Sequence, residues 1–222
     1  MRRILSSGTP VEIIEGSSER ALVVVPDIWG LRPLFVDLAQ MVADRTGWTV
    51  ACIEPFPGQD LPGMDAEDGL AIRGAALRSI TDDALLGDVT EAADLTGKPR
   101  VGVVGFCMGG MFALKAASTG RFDNAVSFYG MAHVQEAWQG PGQGDPVEML
   151  GRPGSARAME LVGTEDPFVP SEHIDDLENA GVTVHRYQDA GHGFVHDPSR
   201  PAHRADYAED AWNKALAFLA GE

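Results

Sequence analysis

A chain of 222 residues, 44% of them apolar, can bury a substantial core and needs neither a metal nor a disulfide to hold it together. Its formal charge of −16, offset by no basic run, argues against nucleic acid or an anionic membrane surface as a partner. Two cysteines, Cys52 and Cys107, are too few for a disulfide framework and fit a reducing, cytoplasmic compartment. Met1–Gly8 has no apolar segment of the kind a signal peptide needs, and no apolar run reaches the ~20 residues of a membrane span.

Along the chain, short β-branched runs alternate with helical patterns. Val11–Glu15 alternates weakly and reads as an edge strand. Ala21–Pro26 is continuous and apolar, as a strand covered on both faces should be. A helix follows over Pro33–Thr46, stopped by Gly47, then a buried strand over Trp48–Ile53 and a Pro/Gly loop over Pro55–Gly63. Asp65–Thr96 reads as two helices broken near Ser79–Asp83. Strands are expected at Val101–Phe106, Ala125–Tyr129, Arg157–Val162 and Val182–Gln188. Helices are expected at Met108–Ser118, Ser171–Ala180 and Ala202–Leu219. Gly130–Gly154 is a long Gly- and Pro-rich loop with at most a short helix, and loops of this kind tend to serve function. The strand–helix repeat implies an α/β fold, a mostly parallel central sheet with helices on both faces. No repeat, linker or composition shift divides residues 1–222, so one domain is expected.

Gly105-Phe106-Cys107-Met108-Gly109 is a cysteine version of the nucleophile elbow, set between a strand and a helix. The turn is so sharp that a Cβ at Gly105 or Gly109 would collide with a neighbour. Cys107 then stands at a helix N-terminus, where free N–H groups favour a thiolate, and the N–H of Met108 faces any oxyanion formed on a substrate. A small cysteine in a Gly-rich packing site would give the same five residues. What raises the catalytic reading is the material downstream, in the order nucleophile, acid, histidine. Asp166 follows the strand Arg157–Val162, and His192, flanked by glycines, follows the strand Val182–Gln188. Glu165 and Asp189 are rival acids. Asp166 alone could be a turn or cap residue. The second oxyanion donor is expected from the N–H of Ile28, just past Ala21–Pro26. Asp27 either faces the same pocket or serves as a turn or cap residue. Cys52 lies within a buried strand and reads as core.

These pieces, PDIWG at 26–30, GFCMGG at 105–110, FYG at 128–130, GTEDPFVP at 163–170 and AGHGF at 190–194, together resemble the dienelactone hydrolase family. This is the cysteine branch of the α/β-hydrolases, and the resemblance covers nearly the whole chain. It implies that Cys107 attacks the carbonyl of a small ester or lactone, as in a carboxymethylenebutenolidase, and that His192, oriented by Asp166, activates the water that clears the thioester. In the family a glutamate at the position of Asp27 bonds the resting thiol; the carboxylate here is one methylene shorter. Members acting on anionic lactones carry an arginine four residues after the histidine, where this chain has His196. The substrate-binding candidates are His196, Trp29, Arg73 and Arg78, and any of Arg73, Arg78 or Arg200 could replace the missing arginine. No metal or organic cofactor is expected, since no HExxH, paired CxxC or dinucleotide glycine pattern occurs. The expected assembly is a monomer or homodimer. A different class of function, a thiol redox sensor or a small-molecule binding module on the same scaffold, is the alternative. Acyl transfer or C–halogen displacement would keep the nucleophile and change the reaction.

Overall fold

The apolar run at Ala21–Pro26 takes the middle of the molecule because both of its faces are covered. The computed structural model describes residues 1–222. Eight strands, β1 (Arg2–Ile4), β2 (Pro10–Ile14), β3 (Arg20–Val25), β4 (Thr49–Ile53), β5 (Arg100–Phe106), β6 (Asn124–Phe128), β7 (Arg157–Gly163) and β8 (Thr183–Tyr187), form one sheet. Their order is β1-β2-β4-β3-β5-β6-β7-β8. The six strands from β3 to β8 run parallel, while β2 pairs antiparallel with β4 and β1 antiparallel with β2. The expectation of an edge strand near Val11–Glu15 is corrected here: β1, three exposed residues too short to carry a periodic signal, covers β2 and is itself the edge.

Seven helices pack against the sheet: α1 (Pro33–Thr46), α2 (Gly69–Leu77), α3 (Asp82–Leu95), α4 (Met108–Ala116), α5 (Pro146–Leu150), α6 (Ser171–Asn179) and α7 (Ala205–Ala220). Side chains of a strand alternate between faces. Leu22 and Val24 of β3 therefore join the core under α1 and α7, while Val23 and Val25 join the core under α2, α3 and α4. Helices on both faces explain why β3, β4 and β5 read as unbroken apolar runs. Helix α1 starts with Pro33 in its first turn and stops at Gly47, whose φ of 70° is open to glycine.

The chain passes from β3 to β4 on one side and returns to β5 on the other, so the sheet's order switches direction beside β3. Crevices of open α/β sheets lie at the carboxyl ends of the strands flanking such a switch. The turn after β3 and the turn after β5 meet there.

The loop over residues 130–154 holds one short helix, α5, and is anchored by a buried ion pair. Lys115 of α4 is fully buried and its Nζ donates to Asp82 Oδ1 at 2.7 Å. The other oxygen of Asp82 accepts the N–H of Gly144 at 2.7 Å, and Gln143 donates to the carbonyls of Leu77 and Ile80. Burial lowers the lysine's pKa and the Asp82 carboxylate opposes that. Removing one partner of such a pair strands the other charge in the core, at about 3–5 kcal/mol. Asp82→Ala is therefore expected to lose that much in urea unfolding, and the double variant Asp82→Ala/Lys115→Met to recover a good part of it. Equal losses in the single and double variants would mean that the pair's charge is not the source of the effect.

Candidate active site

Residue 107 ends β5 and opens α4 with φ 56° and ψ −119°, a conformation that few non-glycine residues adopt. The packing that enforces it is severe. A Cβ on Gly105 would stand 1.9 Å from the carbonyl oxygen of Gly109, and one on Gly109 would stand 2.1 Å from that of Val25. The N–H of Cys107 donates to Phe128 O, tying the elbow to β6. Its side chain is partly exposed, at the floor of a cavity of about 150 Å³.

Two further loops converge on this point. Asp166, after β7, is buried; its Oδ1 accepts the N–H of Phe168 and its Oδ2 bonds Nδ1 of His192 at 2.7 Å. Helix α6 begins only at Ser171, so Asp166 is not its cap. The rival acids lie elsewhere: Glu165 is exposed, and the carboxylate of Asp189 accepts from Gln188. His192 is wedged edge-on between the rings of Tyr129 and Phe168, with centroids at 5.0 and 4.8 Å. Its Nε2 is buried and has no other protein partner. Burial by itself would lower the pKa of this imidazole. The negative charge of Cys107, and after it the Asp166 carboxylate, reverse this and carry it up to about 10. A negative charge on Cys107 therefore favours the imidazolium form of His192.

The turn after β3 supplies the opposite wall. The N–H of Ile28 makes no hydrogen bond within the protein, and that of Met108, at the start of α4, has no intrahelical acceptor. Of the two expected oxyanion donors, Met108 directly follows the lining residue Cys107 at the start of α4, and Ile28 lines the cavity. Asp27, Ile28, Trp29, Leu70, Cys107, Trp138, Phe168, His192, His196 and Arg200 line it.

Asp27 combines both of its sequence readings in an unforeseen way. It lines the cavity, and it is also a turn residue, accepting the N–H of Trp29 at 2.9 Å. Its carboxylate is further bridged by Arg32, at 2.6 and 2.9 Å, and bonded by His196 Nε2 at 2.9 Å. Burial pushes its carboxyl up, but the bonds from His196 and Arg32 more than offset this and hold it at about 2. No acceptor capacity remains for the Cys107 thiol, so the thiol-bonding role that the family resemblance implied for this position does not fit the geometry.

The remaining candidates divide. Trp29 and His196 reach the cavity. Arg73 does not line it: the guanidinium is held by the carbonyls of Pro62 and Ile28 and lies over the rings of Trp29 and Phe56. Arg78 is exposed at the end of α2, away from the cavity. Arg200 lines it and makes no ion pair, whereas Leu70 and Trp138 form apolar walls that sequence pattern did not single out, since neither carries a motif. Cys52 is buried in β4, as its apolar neighbours imply.

A charge coupling between Cys107 and His192 is measurable. In a pH titration followed by NMR, the His192 imidazole is expected to lose its proton near pH 10. Cys107→Ala removes the negative charge that favours the imidazolium, so the midpoint should fall. A wild-type midpoint at the ordinary histidine value of about 6.5, unchanged in Cys107→Ala, would show that the two groups do not interact.

Known proteins share this arrangement of chain. The family described as the dienelactone hydrolase family matches residues 10–222. A protein of Bradyrhizobium sp named as a probable 2-oxo-3-(5-oxofuran-2-ylidene)propanoate lactonase is 28% identical, over 90% of this chain and 82% of its own. A carboxymethylenebutenolidase of Rhodococcus opacus is 27% identical over 95% of this chain and 86% of its own. The crystal structure of a putative dienelactone hydrolase from Klebsiella pneumoniae superposes with a TM-score of 0.80 at 20% identity, covering 96% of this chain and 93% of that one. With a match that runs from residue 10 to residue 222, the chain belongs to the dienelactone hydrolase family.

Proposed function

We propose that this lactone and ester hydrolase works through Cys107 as nucleophile, His192 as acid and base, and Asp166 as the group that orients His192. The observation that carries the reading is the meeting of three separate loops at one cavity, with Cys107 held at a strained elbow and the Asp166–His192 bond at 2.7 Å beside it. The Cys107 thiolate adds to the substrate carbonyl carbon, and the carbonyl's π electrons move to oxygen. The N–H groups of Met108 and Ile28 receive that oxyanion. When the C=O re-forms, the C–O bond to the leaving alkoxide breaks and His192 Nε2–H gives the alkoxide its proton. A thioester remains. Neutral His192 then takes a proton from water as the hydroxide adds to the thioester, and collapse returns the thiolate and the free carboxylic acid. With a lactone the leaving alcohol stays on the same molecule, which departs ring-opened.

The cavity limits the substrate to a small molecule with an apolar portion against Leu70, Trp138 and Phe168. Arg200 is the one arginine on its wall, and its guanidinium is free of ion pairs. On a chain of charge −16 this local cation favours a substrate bearing a carboxylate, the feature named in the propanoate lactonase relative. Cys52, buried in β4 with its thiol pushed up by burial, supplies no resolving partner for the redox alternative.

Mass spectrometry of the intact protein after brief mixing with p-nitrophenyl acetate tests the pathway. An acetyl group on Cys107 should appear and clear in wild type, linger in His192→Ala, and be absent in Cys107→Ala. Turnover that persists undiminished in Cys107→Ala would overturn the assignment. For substrate choice, Arg200→Gln is expected to raise KM about tenfold for a carboxylate-bearing lactone and leave that for a neutral ester unchanged. Equal effects on both would remove Arg200 from the specificity argument.

A further inference from the structure

Beside the His192–Asp166 pair lies a second, wholly buried histidine–aspartate pair that the reaction above does not use. His196 and Asp27 are 5% and 2% exposed, and Tyr129, whose hydroxyl bonds Nδ1 of His196, is inaccessible. The hydrogen bonds fix the tautomer. A phenol donates to Nδ1, so Nε2 carries the hydrogen and donates to Asp27. Phe35 stacks on the imidazole at 5.6 Å between centroids and Phe106 packs tilted against it at 5.2 Å, which confines the ring. Arg32 closes the chain from the far side of Asp27.

The end of this chain is a peptide plane. Asp27 side chain and main chain both hold the turn: Oδ1 accepts the N–H of Trp29, and the carbonyl oxygen accepts the N–H of Gly30 at 3.0 Å. That carbonyl belongs to the same peptide as the N–H of Ile28. Fixing one end of a planar trans unit fixes the direction of the other. We infer that His196 and Tyr129 are positioning residues for the hydrolysis: through Asp27 they aim the Ile28 N–H at the substrate oxygen, and by occupying the Asp27 carboxylate they leave His192 as the proton partner of Cys107. The inference rests on the Cys107 thioester pathway proposed above.

An oxyanion donor acts on the transition state more than on the bound substrate, and removing one costs about 10²–10³-fold in kcat. Misaiming one should cost somewhat less and leave KM almost untouched. The test uses p-nitrophenyl acetate with wild type, His196→Phe, His196→Gln and Tyr129→Phe. His196→Phe keeps a ring but has no donor for Asp27, and kcat is expected to fall about 30-fold with KM changed less than about twofold. The Gln side chain places an N–H where Nε2 stood and should restore kcat to within about threefold. The thioester trapped in a His192→Ala background gives a second readout, the infrared stretch of its carbonyl. Loss of an aimed hydrogen bond should move that band to higher frequency with His196→Phe and, by less, with Tyr129→Phe, but not with His196→Gln. If His196→Phe fails to fold, Tyr129→Phe decides on the same two readouts. Unchanged kcat and an unmoved band in folded His196→Phe, or in Tyr129→Phe when it alone folds, would overturn the inference while the thioester stands. Absence of any acyl adduct in wild type would instead overturn the pathway on which the inference rests.

Discussion

The site depends on a close approach of backbone to backbone at the end of β5. Gly105 and Gly109 touch each other's chain, and Gly109 touches the carbonyls of Val25 and Pro26 at distances no Cβ could occupy. This contact leaves Cys107 no relaxed conformation, and a φ of 56° at a non-glycine residue stores about 1–3 kcal/mol. The surrounding sheet holds that strain. β5 pairs with β3 over Arg100–Gly105 and with β6 over Val103–Phe106, and α4 is buried along every residue. The same contact that strains Cys107 brings β3 against α4. The turn carrying Ile28 and the elbow carrying Cys107 therefore face one cavity.

Electrostatics around that cavity run against the charge of the whole chain. The molecule carries −16, yet the one carboxylate lining the cavity, Asp27, is neutralised by Arg32 and bonded by His196. Asp166 is paired with His192, and Arg200 adds a free cation. A thiolate at Cys107 thus meets no unpaired carboxylate among the residues lining its cavity. Burial sharpens each of these interactions, because a charge withdrawn from water is stabilised only by what touches it.

Tyr129 joins the two halves of this arrangement. It follows β6 with a φ of 45°, its ring packs in a T-shape against His192 and its hydroxyl holds His196. Behind it the buried Glu160 accepts the N–H of Gly130. Burial raises the pKa of Glu160 well above the usual carboxylate range, and the charge of Asp166 adds to this, which favours the neutral acid. A third anchoring point is the Lys115–Asp82 pair, which secures the loop whose Trp138 walls the cavity.

The sequence determined the parts whose signal is local. Continuous apolar strands, Gly stops and the glycines of the elbow fixed the α/β order, and motif order brought Cys107, Asp166 and His192 to the carboxyl edge of the sheet. Strand boundaries fell within a residue or two, and the break between α2 and α3 fell where polarity interrupted the helical pattern. Only tertiary structure could decide the rest, because it depends on partners distant in the chain. The three residues of β1 become a strand solely by pairing with β2. Asp27 is tied to a histidine 169 residues away, a contact that no spacing rule reports. Arg73 and Arg200 are the same residue type in unremarkable contexts, yet one is consumed by backbone carbonyls and the other is left facing the cavity. A side chain's chemistry is set by its type, but its availability is set by what the fold packs against it.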